Sequence, residues 1–212
     1  MAAIEAALVS VQHDFPRINA RLSASRDPLT DEVLENMLAG YRVVDQYLAQ
    51  AEDPFAMGNS KRLLELNRLV LCGEDKEQQN CCPQHLAASE QHFYEAPGGG
   101  VEDLMNWLNL HRSKSVWRRA AGVFAHILSE PQLYIEGNHR TGALLMSSML
   151  AREGQPPFVL TVDNAEHFFN PATLIKKTKK HGLDNLLRLP KLTKRFARLL
   201  EAQADDSFLM AC

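Results

Sequence analysis

Cysteine is scarce in this 212-residue chain, and its four cysteines (Cys72, Cys81, Cys82, Cys212) form no C-x-x-C pair. Cys81 and Cys82 are adjacent and would bridge each other only with strain. The usage fits reduced thiols in a cytoplasmic compartment and argues against a disulfide framework. No apolar run approaches the ~20 residues needed to span a bilayer, so no membrane partner is expected. The start, Met1-Ala2-Ala3-Ile4-Glu5, has no basic stretch leading into an apolar one and does not read as a secretion signal. Strand alternation is nearly missing as well: Phe158-Val159-Leu160-Thr161 is the only passable strand, and it is short. Internal repeats, linkers and low-complexity tracts are not seen. With 45% hydrophobic and 23% charged residues, the chain has the balance of one well-cored domain over residues 1–212.

Helix signals fill the space that strands leave. Thr30 reads as an N-cap, with Asp31 and Glu32 in the first turn and Val33, Leu34, Met37, Leu38, Tyr41, Val44 and Leu48 on one face. Gly40 interrupts that face at a cost of about 1 kcal/mol against Ala, which points to close packing there. Ser60 is expected to cap a second helix that stops at Gly73, and Pro83 suits the first position of a third. After the Gly98-Gly99-Gly100 turn, Val101 to Leu108 and Val116 to Leu128 each repeat at helical spacing. The stretch Ala143 to Ala151 is apolar nearly all round, as a central buried helix must be. Asn164 and Pro171 are expected to start two further helices, and Pro190 to precede the last. The fold class is all-α, a helical bundle around one buried helix.

The net charge of −3 hides an asymmetry. Between Pro171 and Leu200 nine basic residues (Lys176, Lys177, Lys179, Lys180, Arg188, Lys191, Lys194, Arg195, Arg198) meet one acid, Asp184, so the first 170 residues are clearly acidic. A basic C-terminal third of this kind is either a solvated face, with its stems lying over the core, or a surface that docks an acidic partner. It lacks interleaved aromatics, so nucleic acid is not the expected partner.

The stretch Glu136-Gly137-Asn138-His139-Arg140-Thr141 lies between a proline-marked loop and the buried helix. Gly137 lets the backbone approach a ligand, and the first helical amides point outward at the positive end of the helix dipole. Arg140 adds a forked cation suited to phosphate oxygens. Glu136, acidic in an anion-attracting loop, suits Mg²⁺ held beside phosphates. A purely structural account is equally open: Asn138 caps the helix and Arg140 pairs with Glu136. Elsewhere, His126 reads as a core histidine bonded to backbone or, near the loop, as a substitute base. His85 and His92 read as surface or packing residues, and Trp107 and Trp117 as core anchors.

Residues 131–143 resemble the signature of the Fic/Doc (Fido) family, H-P-F-x-[D/E]-G-N-G-R-x-x-R, and the resemblance extends over roughly residues 60–200, with 1–59 as N-terminal helices packing on that unit. Tyr134 stands for the phenylalanine, and Glu136, Gly137, Asn138 and Arg140 fill their positions. The resemblance implies a Fic-type helical bundle that transfers AMP from ATP to a protein hydroxyl. It would give Glu136 the Mg²⁺, the stretch Gly137, Asn138, His139, Arg140 and Thr141 the nucleotide phosphates, and position 132 the catalytic base. Four positions depart from the signature. Leu133 replaces the proline, His139 a glycine and Ala143 the second arginine. Gln132 replaces the catalytic histidine, and an amide cannot act as a base near neutral pH, which typically costs about 10²- to 10⁴-fold in rate. In the Doc branch, which phosphorylates its target, a bulky basic residue also stands at the position of His139. The β-hairpin flap usual in Fic enzymes has no counterpart between Cys72 and Pro97, and the inhibitory helix motif is not matched. Three functions therefore stand: a nucleotide- or phosphate-binding protein with impaired catalysis; an active AMP or phosphoryl transferase using His139 as base; or an interaction module using the basic third.

Overall fold

The computed structural model describes residues 1–74 and 83–210, and Cys81, Cys82, Cys212 and the side chains of His85 and Asp184 lie outside the described residues. Alternating spacing is so rare in the sequence that only helices can bury its apolar residues. Among the described residues ten follow in order: α1 (Ala2–Asn19), α2 (Asp31–Ala49), α3 (Ser60–Cys72), α4 (Pro83–Glu95), α5 (Val101–Leu110), α6 (Val116–Leu128), α7 (Asn138–Arg152), α8 (Ala165–Lys176), α9 (Leu183–Leu187) and α10 (Leu189–Ala202). A short 3₁₀ turn, Asp206–Phe208, closes the described chain. Among the described residues no strand forms, and no helix is long and apolar enough to cross a membrane.

The central helix is α7. Its residues from Thr141 to Ala151 are all buried, and α6, α2 and α3 pack around it. Helix α2 can lie close because Gly40 has no side chain: a Cβ there would sit 2.3 Å from Leu144 Cδ1. Beyond α6, a cluster of Phe124, Phe158, Phe168 and Phe196 joins α6, α8 and α10, with neighbouring ring centroids 4.6–6.1 Å apart. Helix α1 straddles two apolar groups, Ile4 and Leu8 in the main core and Val11, Phe15 and Ile18 against Ala165.

Several local expectations change. Thr30 does cap α2, its hydroxyl accepting from Val33 N at 3.3 Å. Ser60 does not cap α3; it is the first helical residue after Asn59, and its hydroxyl meets the Tyr94 hydroxyl at 3.3 Å. Pro171 does not start a helix but sits inside α8, where buried Phe168, Ala172 and Ile175 outweigh one missing backbone bond. Residues 158–161 form no strand. Two of their carbonyls are spent on side chains instead: Phe158 O accepts from the Tyr41 and Ser147 hydroxyls, and Val159 O from Asn164 Nδ2.

Candidate functional site

The chain enters the 130–141 loop tied to the segment after α8: Glu130 N donates to Thr178 O at 2.9 Å, and Lys180 N donates to Glu130 O at 2.7 Å. Tyr134 then drops into the core, stacked on Phe93 with centroids 5.5 Å apart, and its hydroxyl donates to Leu63 O. Its backbone is clasped by one side chain. Asn138 Oδ1 accepts from Tyr134 N at 3.0 Å, and Asn138 Nδ2 donates to Tyr134 O at 2.8 Å. The turn is held from the other side by buried Asn67 on α3, whose Nδ2 donates to Glu136 O and to Thr141 Oγ1, both at 3.0 Å.

Gly137 is the N-cap of α7 with φ 74°, and a Cβ there would meet Asn67 Nδ2 at 2.9 Å. Only glycine fits both the conformation and the space. Asn138 is therefore not the helix cap; it is the first helical residue and points back into the loop. Thr141 N donates to Gly137 O, which leaves the amides of Asn138, His139 and Arg140 without an intrahelical acceptor.

The side chains expected at the site go to different places. Glu136 is exposed and forms no ion pair among the described residues. Arg140 does not pair with it: its Nη1 donates to Val70 O at 2.6 Å, near the C-terminus of α3, and four of its five N–H donors remain. Thr141 is fully buried with both its hydroxyl and its amide engaged, so it supports the loop from within. Gln132 is half-buried, its Nε2 donating to Leu128 O at 3.2 Å while its main-chain carbonyl accepts from His92 Nε2 at 3.0 Å. His92 is thus a brace for the loop.

His139 turns to the opposite side from Arg140. Its ring meets the edge of Phe124, and its Nε2 lies 3.4 Å from Arg26 Nη1. Burial, helped by Arg26 and Lys176, pushes its pKa down to about 3. The imidazole is neutral at pH 7, and its Nε2 lone pair accepts from Arg26. Arg26 is fixed in turn by Thr173 Oγ1 at 2.6 Å and lies over the Phe169 ring. Sequence reasoning missed both Asn67 and Arg26. Asn67 did carry a signal, a polar residue on the apolar face formed by Leu63, Leu66 and Val70. Arg26, in a loop of Ser, Arg, Asp and Pro, carried none.

His126 is buried, as a core histidine is, but its bond is not to backbone. Its Nε2 bonds the Asp103 carboxylate at 2.8 Å, not backbone, and it stands in a cavity lined by none of residues 132–141. Trp107 is only half-buried and lines the same cavity. Lys180, counted among the solvated cations of the basic third, is buried, and its ammonium donates to Gly99 O at 3.4 Å. Compared with known proteins, the chain matches no family model, and no curated protein matches it.

Proposed function

We propose that the chain is a Fic-like helical protein that holds the phosphates of a nucleotide, with Mg²⁺, at the start of α7, and that it transfers AMP feebly or not at all. What carries this reading is the double clasp of Asn138 and Asn67 around Gly137 at positive φ, at a helix start whose first three amides have no intrahelical acceptor. Exposed Glu136 offers a hard oxygen ligand beside them, as a Mg²⁺ ion shared with phosphates needs. Arg140 would use its remaining donors on the phosphates while keeping its bond to Val70 O. Gln132 would bond a target hydroxyl without taking its proton.

The test is thermal unfolding with ATP, with and without Mg²⁺. Ligand at 100-fold above its dissociation constant stabilises by about 2.7 kcal/mol, and Arg140→Ala should remove that ligand-dependent increment. Labelled ATP should then mark lysate proteins only weakly with the natural chain and more strongly with Gln132→His. An unchanged melting temperature with every nucleotide would overturn the reading.

A second reading rests on the basic third. Eight of its cations (all but Lys180) are exposed, none forms an ion pair among the described residues, and Leu183, Leu186 and Leu187 stand exposed beside them. That face suits an acidic partner with an apolar stripe. Co-sedimentation that weakens with salt would support it.

A further inference from the structure

A cavity of about 120 Å³ lies between α5, α6 and the start of α10. It has room for several waters or one compact molecule. Trp107 forms one wall, seated over Gly122, where a Cβ would come within 1.8 Å of its ring. Leu189 and Pro190 form another. At one end stands His126, 7% exposed, with the Asp103 carboxylate behind it. Because Nε2–H donates to the carboxylate, the Nδ1 lone pair is left over, and among the described residues it has no partner. Burial and Lys180 push the His126 pKa down to about 4 against the pull of Asp103, so the ring is neutral at pH 7.

The other end is cationic. Lys114 and Arg118 line it and form no ion pair among the described residues. His111 lines it too, stacked on Trp107 with centroids 4.3 Å apart, its Nδ1 bonded to Trp107 O at 2.7 Å. That bond leaves Nε2 for a ligand. From Arg118 to His126 is just over two turns of α6, about 12 Å of helix, so the two ends are too far apart for a bare ion to touch both.

We propose that this cavity binds a small phosphorylated polyol, with its phosphate on Arg118 and Lys114 and a hydroxyl donating to His126 Nδ1. The forked guanidinium matches a phosphate, and a neutral imidazole held by a carboxylate accepts a hydroxyl proton's hydrogen bond. The aromatic and aliphatic walls take the carbon chain. The site is separate from the α7 loop, and its fate does not depend on nucleotide binding there.

The probe is glycerol 3-phosphate, added to the full chain with ¹⁵N-labelled histidines, with glycerol and inorganic phosphate as the two halves. The free protein should show His126 as the neutral ring with Nδ1 unprotonated. Glycerol 3-phosphate should shift the Nδ1 signal saturably, phosphate should bind about tenfold more weakly, and glycerol should give no saturable shift. Arg118→Gln should weaken glycerol 3-phosphate about tenfold with an otherwise native spectrum. Lys114→Gln, at an exposed position, gives the same reading if Arg118→Gln does not fold. The proposal is overturned if glycerol 3-phosphate gives no saturable shift, if phosphate binds as tightly, or if neither charge variant changes the affinity. In the last two cases the pair of His126 and Asp103 simply ties α5 to α6.

Discussion

His126 and His139 are both buried imidazoles pushed far below their ordinary pKa, to about 4 and about 3, yet they sit in opposite settings. His139 faces cations: Arg26 donates to its Nε2, and Lys176 adds to the repulsion of a proton. Its lone pair is spent inside the protein. His126 faces a carboxylate, which takes its N–H, and its ring lines a cavity. A histidine at the start of α7 thus acts as packing and as an acceptor for Arg26, while one that the sequence marks as core lines a cavity. Proximity in sequence to a motif is a poor guide to which nitrogen is available.

The largest test of this comparison is acid. An unfolded histidine protonates near pH 6.5, and these two do so only near 4 and 3 when folded. Between those values the unfolded chain binds more protons, so stability is full above about pH 6.5 and falls as the pH drops. Each histidine contributes up to about 1.4 kcal/mol per pH unit, on the order of 4 kcal/mol for the pair at pH 5. Urea unfolding at pH 7 and pH 5 measures it, and His139→Gln should remove about half of the difference. An equal loss in wild type and variant would show that His139 is not held neutral.

The next effects separate how the two sites are braced. Asn138→Ala strips the partners from both backbone groups of Tyr134, and should cost about 2–4 kcal/mol in urea. Asp103→Ala removes one partner from the His126 ring and should cost about 1–2 kcal/mol. If Asp103→Ala proves the costlier, the dyad is a main structural tie and the loop clasp is not.

Much of this was legible beforehand, and for identifiable reasons. The central helix shows because apolar residues all round a helix have nowhere to go but the core, and α7 is buried from Thr141 to Ala151. The Thr30 cap and the glycine at 137 show because one chemical role fits each position. What stayed hidden is long-range pairing. Nothing local says that Asn67 reaches a turn 69 residues away, that Arg26 lies on a helix start 113 residues on, or that Asp103 meets His126. Ser60 failed as a cap, and residues 158–161 failed as a strand, because tertiary partners took the groups that local structure would have used.

The smallest effect sharpens the contrast between the two sets of cations. Arg26 is built in: it donates to Thr173 Oγ1 and His139 Nε2, and its stem and guanidinium cover Phe169. Arg26→Gln should therefore cost about 1–2 kcal/mol at pH 7. Among the described residues Arg118 makes no such bonds, and Arg118→Gln should stay within about 0.5 kcal/mol of wild type. The first substitution also removes a cation that repels the His139 proton, so its penalty should shrink as the pH falls toward about 3, where the folded imidazole itself titrates and the variant's does so sooner. Arg118→Gln should show no such pH trend. If both arginines prove equally dispensable at pH 7 and both leave the acid slope unchanged, Arg26 is not holding His139 neutral, and the distinction between a cation spent on the fold and one kept for a ligand fails.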